Sequence, residues 1–327
     1  MKIWVVEECE NPSTDFYIRP FLEYTFKGNY IVCQKPLPID NQEISLIFVR
    51  YLSSEWIHFV EKNRKKIKKI IYFFDDSLFD ISVLKDLPIK YKLKIFLKAF
   101  LRKKWLFRNS SVFLVSTEYL KNKYKELNPI VLPPYPIFDP IDNFQNDNNP
   151  IITIFYFATA SHTKEAVWLY EIVKRILKMH KNVIFEIIGN KAIYKLYRQL
   201  DRVLINYPMR WTAYRYFLLS KKRDIGLVPV FMTPFNKGRS FTKFFEITGC
   251  GAVGVYSKDS IYEKIVVNGE NGLLVINNKE KWIELISELI TDSEFRSRLY
   301  HQAQNFINEY KKEVLKRYDK VRIILEE

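Results

Sequence analysis

Cysteine, acidic residues and long apolar runs are all scarce in this 327-residue chain. The three cysteines, Cys9, Cys33 and Cys250, are odd in number, sit in apolar or strand-like contexts and lack metal-ligand spacing. They exclude a disulfide framework and fit reduced thiols in a cytosolic protein. No apolar run reaches the roughly 18 residues that a spanning helix needs, so the chain is expected not to be integral to a membrane. It opens directly on a strand-like run, Lys2 to Val6, with acidic residues just behind it, which is not the pattern of a secretory signal.

Carboxylates are outnumbered, 37 Asp and Glu against 52 Lys and Arg, for a net charge of +15. The excess is local: residues 62–108 hold 15 Lys and Arg against 4 Asp and Glu, or +11. In that region Ile89, Leu93, Phe96, Leu97 and Phe100 recur at helical spacing, and Lys90, Lys94, Lys98 and Arg102 follow one another at intervals of four. A basic amphipathic helix over residues 89–108 suits an anionic membrane surface. The same pattern also fits a helix that packs its apolar stripe on the first domain and leaves its lysines in water. No RNA- or DNA-binding module is recognisable, so nucleic acid is not an expected partner.

What is present points to packed cores. A hydrophobic content of 48% with 16% aromatic residues excludes disorder, and the length suits two domains of roughly 150 residues each. Strands are predicted at residues 2–6, 30–33, 45–50, 70–74, 112–116 and 130–132, then at 151–157, 183–188, 203–205, 225–228, 252–255 and 273–275, with helical patterns between many of them. Short apolar strands alternating with helices predict parallel sheets covered on both faces. The series runs twice, so the expected fold class is α/β, with two Rossmann-like domains whose parallel sheets face a central cleft. The predicted bounds are 1–140 for the first domain, 141–150 for a Pro- and Asn-rich linker, 151–305 for the second domain, and 306–327 for a terminal helix returning to the first.

The chemistry concentrates in residues 235–257. Polar residues Asn236, Arg239, Ser240, Lys243 and Glu246 interrupt an apolar run lying between two predicted strands. The spacing predicts one helix there, with Ser240 as N-cap and Gly249 and Gly251 as its stop. Ser240, Lys243 and Glu246 follow at threes and share one stripe near the helix start. Free N–H groups and the positive dipole end attract an anion at such a start, beside Arg239 and Lys243. Glu246 has a separate task, because a carboxylate does not bind phosphate. It accepts well from vicinal hydroxyls, as an acidic residue does for ribose in dinucleotide folds. Diphosphate and diol sites on one helix suggest a nucleotide sugar. The bland alternative is a solvated Lys243–Glu246 pair on an ordinary amphipathic helix.

These residues, followed by Gly251-Ala-Val and by Val267-Asn-Gly-Glu-Asn-Gly-Leu-Leu274, resemble the donor-binding C-terminal half of GT-B glycosyltransferases. They resemble in particular the retaining family 4-like (group 1) enzymes of bacterial surface-polysaccharide synthesis. The resemblance implies that Glu246 binds the nucleotide ribose and that the basic residues of loop and helix start face the diphosphate. It covers about residues 151–275 and weakens before that. Many family members carry two glutamates eight apart, and the earlier position here is Gly238.

Other predicted strand ends add candidates. After residues 151–157 come Ser161, His162, Thr163 and Lys164: Ser161 or Thr163 is able to cap the next helix, with His162 and Lys164 near the anionic region. A lone histidine is as readily structural. Gly189 is in a short, unspecific turn expected under the nucleotide, and Arg210 and Trp211 lie in a loop resembling the one that passes the base; Trp211 fits the core slightly better. In the first half Asp75 and Asp76 sit at a strand end and resemble an Asp-Asp signature of some relatives. They suit holding or deprotonating an acceptor hydroxyl, and suit ordinary turn chemistry as well. The turn after the first strand, Asn11 to Asp15, lacks the glycines common in the family, so acceptor recognition is expected to differ.

Together these features imply a glycosyltransferase that moves a sugar from a nucleotide-activated donor to a hydroxyl of a glycan or lipid-linked acceptor, retaining and without metal or other cofactor. The expected place is the cytoplasm, peripheral on the inner face of the cell membrane. A GT-A enzyme would need an Asp-x-Asp metal motif. Two other readings stay open: a catalytically inactive GT-B-like scaffold subunit, and an inverting GT-B transferase with Asp15, Asp75 or Asp76 as base.

Overall fold

The computed structural model describes residues 2–40, 42–80, 87, 89–139, 151–157 and 162–326. All twelve predicted strands are present. The first six are β1 (Lys2–Val6), β2 (Tyr30–Cys33), β3 (Ile44–Val49), β4 (Ile67–Phe74), β5 (Val112–Val115) and β6 (Ile130–Val131). Every pairing among them is parallel, in the order β2-β1-β3-β4-β5-β6. Between them run α1 (Arg19–Phe26), α2 (Ser54–Lys62), α3 (Ile89–Lys98), α4 (Lys103–Asn109) and α5 (Glu118–Lys123). Val, Ile and Phe fill these strands because a parallel sheet covered by helices is buried on both faces. All six residues of β3 are buried. The core gathers Trp4, Phe48, Trp56, Tyr72 and Phe74.

The second sheet comprises β7 (Ile152–Phe157), β8 (Val183–Ile188), β9 (Val203–Asn206), β10 (Ile225–Val228), β11 (Val253–Ser257) and β12 (Leu273–Val275). It is also parallel throughout, in the order β12-β11-β10-β7-β8-β9. Counted from its own first strand, this is the strand order of dinucleotide-binding folds. Its helices are α6 (Thr163–Met179), α7 (Lys191–Tyr197), α8 (Trp211–Leu219), α9 (Thr242–Gly249) and α10 (Lys279–Thr291). Ile154, Phe185, Ile187, Tyr197 and Trp282 lie at the centre of the core. In such sheets ligands bind beyond the strand carboxyl ends where the order reverses. That point lies between β7 and β10, whose following segments carry His162 and the 236–246 stretch.

The chain divides into two compact units: residues 1–137, 233–240 and 311–327, and residues 138–232 with 241–310. The expected linker 141–150 lies outside the described residues. The segment Thr233–Ser240, although encoded in the second half, groups with the first unit. The C-terminal region is one helix, α11 (Ser293–Glu326). In the first unit Tyr318 meets Phe21 edge to face at 5.3 Å, and Lys69 Nζ donates to the Leu325 carbonyl at 2.6 Å.

Candidate functional site

The segment after β10 is anchored before it reaches α9. Phe235 is buried in the first unit's core, and a single 3₁₀ turn spans Asn236–Gly238. Thr233 Oγ1 accepts the Asn236 N–H at 3.2 Å, and Asn236 is buried. Thr117 Oγ1 donates to the Gly238 carbonyl at 3.4 Å. A Cβ on Gly238 would stand 3.2 Å from both Leu120 Cδ2 and Ser77 Oγ, so a side chain here would need both neighbours to give way by a few tenths of an ångström. Arg239 lays its guanidinium 5.1 Å over the Phe235 ring, with Nε 3.8 Å from Asp76 Oδ1.

Two sequence expectations about capping are corrected. The helix α9 begins at Thr242 with Phe241 at the N-cap and no capping side chain. Ser240 is one residue too early, because Arg239 leaves the anchored turn in extended geometry (ψ 162°). The Ser240 hydroxyl is buried without a hydrogen-bond partner among the described residues. Nor does Thr163 cap α6: it is the first helical residue, His162 holds the N-cap position without a side-chain bond, and Ser161 lies outside the described residues. A helix start that no side chain caps keeps its N–H groups available to an anion.

On α9, Lys243 Nζ lies 2.5 Å from Glu246 Oε2. Tyr214 of α8 donates its hydroxyl to the same oxygen at 2.5 Å and accepts from Lys243 Nζ at 3.1 Å. The i,i+3 pair does form, with the Lys243 side chain 31% exposed and the Glu246 carboxylate buried rather than solvated. Burial beside this carboxylate pushes the Tyr214 phenol well above its ordinary range. Trp211, half-buried, tilts against Tyr214 at 5.7 Å, and Arg210 is exposed at the N-cap position of α8. His162 Nδ1 stands 3.5 Å from the buried Glu165 Oε1, and Lys164 is exposed in the first turn of α6. Gly189 donates its N–H to the Asn206 carbonyl at 3.0 Å, closing the end of β8 onto β9.

In the first unit the strand ends converge on Arg50, which the sequence pattern marks only as the end of a strand. It follows β3 with φ +63°, a left-handed conformation costly for a non-glycine residue and held by its surroundings. Its guanidinium lies 2.5 Å from Asp76 Oδ2 and 3.3 Å from Asp75 Oδ1, and it donates to the Tyr91 hydroxyl at 2.8 Å. Ser13 donates to Asp75 Oδ2 at 2.6 Å, while Asp75 Oδ1 is buried without a hydrogen bond among the described residues. Burial raises the Asp75 carboxyl; Arg50 opposes that and Asp76 adds to it, leaving Asp75 above the ordinary range. Burial raises the Glu7 carboxyl, just after β1, too. Arg50, Tyr91 and Tyr214 carried no motif; the only signal was a lone arginine closing an apolar run.

The basic helix packs Tyr91 and Ile95 on the first unit's core and leaves most of its predicted apolar stripe exposed, with Phe100 half-buried. Only Ile95 of α3 is buried, whereas Ile89 is 82% and Leu93 55% exposed, with Phe96, Leu97 and Leu101 exposed along the same stretch. Lys94 and Lys98 both pair with Glu8. No helix among the described residues is long and apolar enough to cross a membrane.

Residues 139–306, just over half of the chain, match the family model described as glycosyl transferases group 1. No curated protein sequence matches the chain. Among solved structures, HepE of Anabaena in complex with UDP-glucose is similar over 100% of this chain and 99% of its own, with a TM-score of 0.66 and 10% identity. A sucrose-phosphate synthase of Thermosynechococcus elongatus is similar over 99% of both chains (TM-score 0.63, 11% identity). WaaG, a glycosyltransferase involved in lipopolysaccharide biosynthesis, is similar over 98% of this chain and 99% of its own (TM-score 0.63, 12% identity). At these identities the likeness shows the fold: GT-B, with two Rossmann-like domains.

Proposed function

Because the chain belongs to the glycosyl transferases group 1, it is a glycosyltransferase, and we propose that it moves a sugar from a nucleotide-activated donor to a hydroxyl of a glycan or lipid-linked acceptor. The observation that carries this reading is the buried Glu246 beside Lys243 on a helix whose start no side chain caps. Glu246 takes the ribose hydroxyls. Arg239, Ser240, Lys243 and the first N–H groups of α9 take the diphosphate, with Asn236, His162, Lys164, Arg210 and Gly189 around the donor. Stabilising charge that develops on a leaving group is often the largest catalytic term, and these cations and N–H groups supply it in place of a metal.

The acceptor hydroxyl is assigned to Asp75 and Asp76. A hydroxyl donating to Asp75 Oδ1 would add a hydrogen bond to a buried oxygen that has the Arg50 guanidinium 3.3 Å away but no hydrogen bond among the described residues. In the proposed step the bond from the sugar's anomeric carbon to the diphosphate oxygen breaks and the acceptor oxygen bonds to that carbon on the same face. The acceptor's proton passes to the departing diphosphate. The exposed α3 stripe and its flanking lysines support work at the inner face of a membrane carrying anionic lipid, in surface polysaccharide or glycoconjugate synthesis. Lys243→Ala is expected to lower turnover by about 10²–10³-fold, the size seen when one stabiliser of developing charge is removed, and Glu246→Ala to lose turnover through weakened donor binding, both with native circular dichroism. Full activity in both variants would sink the assignment, and NMR of the product's anomeric proton tests retention.

A further inference from the structure

Glu246 has two carboxylate oxygens, and among the described residues both side chains that hydrogen-bond to its carboxylate lie on one of them. Tyr214 O–H and Lys243 N–H both end on Oε2. A carboxylate oxygen offers about two lone-pair sites, so these donors fill Oε2. Tyr214 is well placed to hold this arrangement. Its ring meets Trp211 at 5.7 Å and Phe157 edge on at 6.3 Å, and the Lys243 ammonium stands 5.1 Å over its face. Lys243 is flexible by comparison, with four rotatable carbons and a point charge, and is also assigned to the diphosphate. If it turned to phosphate with no other donor nearby, Glu246 would become a buried, unpartnered carboxylate, which is costly.

We propose that Tyr214 is the positioning residue for the ribose contact: its hydroxyl keeps Oε2 occupied and presents Oε1 to the vicinal hydroxyls of a nucleoside diphosphate. This rests on the donor reading above. Tyr214 stays with the carboxylate while Lys243 moves between carboxylate and diphosphate, so one lysine serves both. The phenol's raised pKa keeps it a donor through the neutral range.

The test is titration calorimetry of wild type and Tyr214→Phe with UDP, ADP and GDP in turn, and with the 2′,3′-dideoxy form of whichever binds. Loss of one hydrogen bond to a charged group predicts about a 10-fold weaker affinity for the ribonucleotide, with the dideoxy form unchanged. In a Glu246→Ala background, Tyr214→Phe is expected to add nothing further. Equal weakening of both nucleotides, or no weakening of either, overturns the role of Tyr214 while leaving the donor site standing. Failure of wild type to bind any of the three overturns the donor site and this inference together.

Discussion

A single guanidinium divides two adjacent carboxylates into unlike groups. Arg50 approaches Asp76 to 2.5 Å but Asp75 only to 3.3 Å, and Asp75 keeps one buried oxygen without a hydrogen bond. Its folded pKa lies above the ordinary value of 3.8, with burial as the main cause. The folded state therefore holds this proton more tightly than the unfolded state, and ionised Asp75 lowers stability as pH rises through the shifted pKa. Asp75→Asn is expected to melt at a higher temperature than wild type at pH 7, the difference closing as pH falls toward 3.8. A lower melting temperature for the variant at pH 7 would mean that the pairing with Arg50 outweighs burial. At this scale the sequence was legible where spacing carried the signal: Lys243 and Glu246 share a helix stripe, and they do meet. It was silent on Arg50, Tyr91 and Tyr214, whose roles come from side chains brought together across many residues of chain, as with Ser13 and Asp75, 62 positions apart.

Among the elements, strands were easiest to read, because burial on both faces writes continuous apolar runs into the sequence. Helix starts were harder. Ser240 has a good capping side chain, yet Phe235 in the first unit's core and Arg239 beside Asp76 fix the preceding turn, and the helix begins two residues later, at Thr242. Tertiary anchoring overrode a local preference. The opposite holds for α3, whose pattern fitted a packed stripe as well as a membrane-facing one, and whose stripe lies exposed. Glu8 pairs with Lys94 and Lys98, so the exposed apolar side chains are the better target than those lysines. An Ile89→Gln, Leu93→Gln, Leu97→Gln variant is expected to lose most of its recovery with floated vesicles containing anionic lipid. Each fully buried side chain of this type contributes about 1.5–3 kcal/mol on leaving water. Equal flotation of variant and wild type would remove the membrane assignment for this helix.

For the whole molecule, the doubled series of strands and helices was legible as two Rossmann-like halves, and both six-stranded sheets are parallel as that reading requires. The grouping of Thr233–Ser240 with the first unit was not legible, since no local pattern records which core a lone Phe235 will enter. Gly238 shows the consequence: a Cβ there would stand 3.2 Å from Leu120 and Ser77 of that same unit. The central claim is that α9 and the segment before it bind a nucleotide-activated sugar. Thermal melting of wild type and Glu246→Ala against a panel of nucleoside diphosphates and nucleotide sugars tests it most directly. A ligand that binds only the folded state adds about 2.7 kcal/mol when present at 100 times its dissociation constant. At least one compound is predicted to raise the wild-type melting temperature and to leave Glu246→Ala nearly unmoved; a panel in which none shifts the wild type, or in which both proteins shift alike, would contradict the account.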